Sequence, residues 1–238
     1  MPSLITARFF TTVAHRRQLP QGGIPEVAFI GRSNAGKSSA INVLCQRKRL
    51  AFSSRTPGRT QALNFFAVGR NESNDGFLVD MPGYGYAAAP GEVRHGWDAL
   101  AGSYLSDRPP LCGAVLMVDI RRLLTDLDRR MLAWLPADLP VLVLLTKSDK
   151  FGTAQQTTAL RTVLQELAVD HGRADARVIL FSSVTRKGLD EARRLIEDWL
   201  ETASSRLAGP QDPDPTPTEQ PPTAASTPPE RNPTDERS

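Results

Sequence analysis

Apolar positions fall along this chain in two rhythms. Short runs of consecutive apolar residues read as buried strands, and longer stretches with apolar residues three and four apart read as amphipathic helices. The first run, Val27–Ile30, leads through the glycine-bearing Gly31–Gly36 into Lys37–Gln46, where Ile41, Leu44 and Cys45 keep helical spacing. Leu63–Val68 and Phe77–Val79 are runs joined by the turn-rich Gly69–Gly76, a connection short enough for antiparallel neighbours. A helix is expected within Gly91–Leu105, closed by Pro109 and Pro110. Then come strand Val115–Ile120, helix Asp126–Leu135, strand Val141–Leu145, helix Ala154–Ala168, strand Val178–Phe181 and helix Leu189–Leu200. This alternation predicts an α/β fold in three layers: a mostly parallel sheet of about six strands, one antiparallel edge strand, and helices on both faces. Loops at the carboxyl ends of such strands gather into a crevice where ligands bind.

Composition alters that picture mainly at the end of the chain. The 238 residues suit one domain with appendages. From Ala208 to Ser238, however, there are nine prolines and no Phe, Trp, Tyr, Ile, Val or Leu. Such a segment cannot bury enough apolar surface to offset its chain entropy. The expected organisation is an N-terminal extension over 1–24, a folded domain over 25–205 and a disordered Pro/Thr-rich tail over 206–238. The tail holds six acids against two arginines, a net of −4, so a chain of net charge +3 has a body of about +7. That charge would attract a polyanion such as RNA, or is ordinary solvation. Cys45 and Cys112 lack metal-ligand spacing and read as reduced thiols of a cytoplasmic protein. No apolar run approaches the ~18 residues that cross a membrane, so no membrane partner is expected. Arg8, Arg16 and Arg17, with no acid before Glu26, loosely suggest a transit peptide; without a cleavage signal, an ordinary extension is the preferred expectation.

The candidate chemistry lies at the strand ends. Gly31-Arg32-Ser33-Asn34-Ala35-Gly36-Lys37-Ser38 matches G-x-x-x-x-G-K-[ST] between a strand and a helix. Its glycines let the backbone wrap so that successive N–H groups face a β-phosphate, and the helix N-terminus adds positive charge. Lys37 would reach the β- and γ-phosphates, and the Ser38 hydroxyl would bind Mg²⁺. Asp80-Met81-Pro82-Gly83 closes the strand Phe77–Val79. An acid there can hold Mg²⁺ through water, and the Gly83 N–H can sense the γ-phosphate. D-x-x-G is weak alone and gains force one strand beyond a P-loop. Between the two lies the polar, aperiodic stretch Ser53–Gln61, suited to a mobile switch. Thr56 or Thr60 could complete the metal shell, and the residues alone do not choose. Thr146-Lys147-Ser148-Asp149 ends another buried strand. An aspartate accepts two hydrogen bonds from guanine, where adenine offers neither, and polar pairing of this kind discriminates by about 10⁴ or more. The Lys147 stem can lie along the base, and Phe181-Ser182-Ser183 can offer a backbone N–H to guanine O6.

The ordered set resembles the EngB family of GTP-binding proteins, also called YihA or YsxC, within the group that includes Era, EngA, TrmE and, more broadly, the translation-factor GTPases. The resemblance is carried by G-R-S-N-A-G-K-S-S, T-P-G-R-T-Q, D-M-P-G-Y-G-Y-A, T-K-S-D-K and F-S-S; it covers about residues 5–202 and leaves out the tail. The Gly-Tyr-Gly-Tyr stretch is its most specific part. It implies a three-layer P-loop GTPase domain binding GTP or GDP, acting in assembly of the large ribosomal subunit and needed for cell division and septation. It also implies that Ser38 and Thr60 bind Mg²⁺, and that Gly58, Arg59, Thr60, Gln61 and Ala62 form a second nucleotide-contacting segment. Ala35 and Met81 stand where Val and Leu are commoner in the family, which leaves the site unaffected.

Many small GTPases place a glutamine just after D-x-x-G to orient the attacking water. Tyr84 holds that place here, so slow intrinsic hydrolysis is expected, raised by an activator worth about 10³–10⁵. Related GTPases with Asn in the P-loop bind K⁺ beside the phosphates, and Asn34 suggests the same, acting with Lys37, Thr60 and Gly83. Tyr84 and Tyr86 could stack on a ribosomal RNA base or pack the switch, with packing preferred. Trp97, Trp134 and Trp199 read as core anchors, and a monomer is the default. Two other readings compete: an ATP-dependent P-loop enzyme, opposed by Thr146–Asp149, and an RNA-binding assembly factor that hardly turns over its nucleotide.

Overall fold

A computed structural model describes residues 2–52, 62–70, 73–84 and 100–207. Seven strands form one sheet: β1 (Arg8–Val13), β2 (Glu26–Gly31), β3 (Leu63–Val68), β4 (Gly76–Asp80), β5 (Leu111–Asp119), β6 (Val141–Thr146) and β7 (Arg177–Leu180). Their order is β1-β3-β4-β2-β5-β6-β7. The count exceeds the expected six because the N-terminal segment supplies β1. The antiparallel pairing lies at one edge, as expected, and involves two strands there. β3 runs opposite to both neighbours, and β1 covers its outer side, with Arg8 opposite Ala67 and Val13 opposite Leu63. All other neighbouring pairs are parallel.

Among the described residues, five α-helical segments cover the sheet: α1 (Lys37–Leu44), α2 (described over 100–106), α3 (Asp126–Trp134), α4 (Thr153–Asp170) and α5 (Leu189–Leu207). The period-two geometry of strands sorts the core into two layers. Val27, Phe29, Val115, Met117, Leu142 and Leu144 face α1 and α5, whose Ile41, Leu44, Ile196 and Leu200 are fully buried. Ala28, Ile30, Leu116, Val118, Val143 and Leu145 face α2, α3 and α4, through Tyr104, Leu132 and Val163. Trp199 presses on β5 so closely that a Cβ on Gly113 would lie 2.2 Å from its ring. Trp134 and Trp199 are partly buried and packed on these two layers; Trp97 lies outside the described residues.

The N-terminal segment is built into this frame. Leu4 is fully buried, and its N–H donates to Glu197 of α5 at 2.7 Å. Below the sheet, Glu26 is 1% exposed and accepts from Tyr104 Oη at 2.8 Å and Arg108 Nε at 3.0 Å. Arg108 also donates to the Pro20 carbonyl at 2.8 Å. A buried carboxylate needs such partners, since its desolvation costs several kcal/mol, about 3–5 when one partner is removed. This network holds the lower end of β2 while its upper end opens into the site. The compact unit ends at Leu207, so the last turn of α5 takes in the first two residues of the expected tail, and 208–238 lie outside the described residues.

Candidate functional site

β2 ends at Gly31, and the chain then turns through Arg32–Gly36 into α1. Asn34 (φ 66°) and Gly36 (φ 96°) take left-handed conformations, which only glycine adopts without strain. The turn leaves a concave row of amides. Those of Ser33 and Ala35 are used within the fold, donating to Tyr84 O and Arg32 O at 3.0 Å each. The amides of Asn34, Gly36, Lys37 and Ser38 have no acceptor among the described residues. Four free N–H groups at the positive end of a helix form an anion cradle.

Lys37 projects from the first turn of α1, and its Nζ pairs with Oδ1 of Asp80 at the end of β4. Their side chains are 11% and 6% exposed, so the pair is screened little. Beyond Asp80, the Met81 N–H donates to Phe29 O at 3.1 Å, while Pro82 and Gly83 stay half-buried. Gly83 lies against the phosphate loop. A Cβ there would meet Ser33 Oγ, Cα and N at 3.0–3.1 Å, which explains glycine at this position. Tyr84 closes the seam, donating its N–H to Gly31 O at 3.3 Å. Its ring is 5% exposed and belongs to the core, so it packs and is not available for stacking on a base. Tyr86 lies outside the described residues, as do Thr56, Gly58, Arg59, Thr60 and Gln61; Ala62 is buried beside β3.

The opposite end of the crevice comes from β6 and β7. Thr146 Oγ1 lies 2.6 Å from Ala35 O and 3.1 Å from Val118 O, fixing the strand end to the phosphate loop. Lys147 (φ 57°) turns the chain; its Nζ donates to Asn34 O at 2.8 Å and pairs with Asp119 at 2.9 Å. Burial alone would raise the Asp119 pKa. Hydrogen bonds from Arg121 and Lys147 override it and hold the carboxyl well below the usual range. Ser148 is fully buried, and its N–H donates to Phe181 O at 3.1 Å. Asp149 accepts from Ser182 Oγ at 2.6 Å and lies 3.3 Å from Lys150 Nζ. The Ser182 bond above all lowers its pKa and keeps it ionised. The Phe181 and Ser182 amides are used by Leu145 O (2.9 Å) and Lys187 O (3.1 Å). That leaves the Ser183 N–H without an acceptor among the described residues.

The three described motifs and the Phe181–Ser183 turn therefore meet through direct bonds: 31–38 with 80–84, 34–35 with 146–147, and 149 with 182. The arrangement can seat a polyanion at one end and present an ionised carboxylate plus a free N–H to a planar donor–acceptor edge at the other. Mg²⁺ fits the chemistry: the half-buried Ser38 hydroxyl and the carboxylate of Asp80, which pairs with the adjacent Lys37, are hard oxygen donors, and this ion draws its remaining ligands from phosphates and water. Sequence reading missed Asp119, which fixes Lys147, and Asp128, which accepts from the Tyr84 hydroxyl. An acid ending the buried run Ala114–Val118 was the available clue for Asp119.

Residues 26–147 match a family model described as "50S ribosome-binding GTPase". A probable GTP-binding protein EngB of Burkholderia thailandensis is 53% identical over 203 residues, covering 84% of this chain and 93% of the relative. Its namesake in Burkholderia vietnamiensis is 52% identical over 207 residues, covering 85% and 94%. Among solved structures, a probable GTP-binding protein EngB superposes with a TM-score of 0.55 at 20% identity, over 74% of this chain and 99% of that one. A bacterial selenocysteine-specific elongation factor gives 0.55 at 18% identity, over 75% of this chain and 29% of its own. Both structural likenesses speak to the fold.

Proposed function

We infer, from the EngB family of GTP-binding proteins to which this chain belongs, how a GTP-binding GTPase uses the crevice described above. The nucleotide's phosphates lie on the amides of 34–38, wrapped by Gly31, Arg32, Ser33, Asn34, Ala35 and Gly36. Lys37 leaves Asp80 for the β- and γ-phosphates; Asp80 then faces the water shell of a Mg²⁺ held by Ser38 and Thr60. Gly58, Arg59, Gln61 and Ala62 contact the nucleotide beside Thr60. Gly83, framed by Met81 and Pro82, offers its N–H to the γ-phosphate. At the other end Asp149 accepts from guanine N1–H and the 2-amino group, and the Ser183 N–H donates to O6. Thr146, Ser148, Phe181 and Ser182 hold those two groups in place, and the Lys147 stem lies along the ring. The observation that carries this reading is the double fixing of Asp149: ionised, and aimed by Ser182 beside a free N–H. A site for adenine would leave that carboxylate unmatched.

Hydrolysis to GDP and phosphate is slow in this reading, because Tyr84 stands where a water-orienting glutamine would be and its hydroxyl is bonded to Asp128. The exposed Asn34 supports a K⁺ ion beside the phosphates. The GTP-ordered surface binds the large ribosomal subunit or its precursor, in the cytoplasm and as a monomer, and serves assembly on which division and septation depend. Support comes from the family description and a body of net charge near +7 against a whole chain of +3. Co-sedimentation with 50S particles in a GTP analogue, GDP and no nucleotide tests it. Binding should be strongest with the analogue, and equal binding in all three states removes the switch. An assembly factor without turnover predicts instead no single-turnover hydrolysis even with particles present.

A further inference from the structure

We propose that Tyr84 is a positioning residue for the γ-phosphate contact, and that its bond to Asp128 ties the phosphate-sensing loop to the start of α3. The inference rests on the reading that Gly83 faces the γ-phosphate, and adds a mechanical partner to it. Three observations carry it. Gly83 is held from both directions along the chain. Before it, the Met81 N–H donates to Phe29 O at 3.1 Å; after it, Tyr84 exchanges backbone hydrogen bonds with Gly31 and Ser33 at 3.3 and 3.0 Å. The Tyr84 hydroxyl then crosses the core to Asp128 Oδ1, with the two residues 5% and 2% exposed. The other carboxylate oxygen, Oδ2, takes the Thr125 N–H at 2.7 Å and the Thr125 hydroxyl at 2.6 Å, which caps α3.

This is an expensive arrangement for packing alone. Phenylalanine would fill the same space, and an ordinary capping acid would sit in solvent. A buried carboxylate with three donors instead makes one rigid unit of the Gly83 loop and the first turn of α3. Burial first, and then the neighbouring carboxylate, push the phenol far above its usual pKa, so the proton stays on Tyr84 and the bond keeps its direction. Gly83 therefore cannot approach or leave a phosphate by swinging freely. A shift of Gly83 instead strains the Tyr84–Asp128 bond, and α3 registers the change.

The test compares affinities for a non-hydrolysable GTP analogue and for GDP in the full chain, with Mg²⁺. For Tyr84→Phe the analogue-to-GDP affinity ratio should fall about fivefold or more, while GDP binding stays within about twofold. Asp128→Ala, which removes the acceptor, should do the same, and in the double variant the effects should not add. A ratio unchanged in both single variants overturns the proposal; so does equal weakening of both nucleotides, which marks a merely structural role. If Tyr84→Phe fails to fold, Asp128→Ala alone decides. Gly83→Ala separates the two levels: no effect on the wild-type ratio would sink the Gly83 reading itself, whatever Tyr84 does.

Discussion

Replacing Ser182 by alanine isolates the group that aims the carboxylate proposed to read guanine. The Ser182 hydroxyl donates to Asp149 at 2.6 Å and accepts from the Val184 and Thr185 amides at 3.2 Å each. A hydrogen bond to a charged acceptor contributes about 1.5–3 kcal/mol. The Asp149 side chain is 13% exposed, so water replaces part of the loss, and the low end, ~1.5 kcal/mol, is the better guide. That corresponds to about tenfold weaker GDP binding. The variant also alters the pH profile. Ser182 is the largest influence lowering the Asp149 pKa, so without it the carboxyl protonates at higher pH. In the proposed contact ionised Asp149 is the form that accepts from guanine, so affinity should fail on acidification earlier in the variant than in the wild type. Calorimetric titration with GDP from neutral to acid pH measures both effects. Ser182→Thr should restore most of the affinity by keeping the hydroxyl. Wild-type affinity in Ser182→Ala, or ATP gaining and losing in step with GDP, would refute the role given to Asp149.

Asn34→Ala should remove a stimulation of single-turnover hydrolysis by KCl over NaCl; equal rates in the two salts for the wild type would dispose of the potassium site. Gly113→Ala drives a methyl group into Trp199 and should destabilise the fold by about 1–3 kcal/mol, read from urea unfolding, with little change in m-value. Cys45 and Cys112 are pushed up to about 12, chiefly by burial, so neither thiol should react with a disulfide reagent at pH 8 until denaturant is added. Rapid labelling of the folded chain would contradict that packing.

Much of the site could be read from the chain because its logic is local. The phosphate loop needs a strand, a tight turn and a helix N-terminus in direct succession, and the residues Gly31–Ser38 spell that out. The α/β alternation was equally plain where strands are buried on both faces, as Val141–Thr146 is throughout. β1 escaped notice for the opposite reason. In Arg-Phe-Phe-Thr-Thr-Val only Val13 is buried, and a bulge between Phe9 and Thr11 interrupts the register, so neither alternation nor an apolar run marks it. The pairing of Asp149 with Ser182 spans 33 residues, and that of Tyr84 with Asp128 spans 44. Such contacts are created by the order of strands in the sheet, which no local pattern encodes. Tyr84 was legible as an absent glutamine, whereas its partner was not. α5 runs to Leu207, beyond the expected Leu200, because its last turns are polar and offer no periodic signal.

The place of β1 bears on how this protein can be handled. A shortened chain starting near residue 25 would look safe from its motifs, since all of them lie beyond it. Such a fragment would strip the cover from β3 and lay bare the ladder from Leu63 to Ala67, with Phe65 and Phe66 in its middle. Open strand borders of that kind recruit further strands from other molecules. Trimming the front of the chain should thus yield a precipitate rather than a smaller, well-dispersed domain.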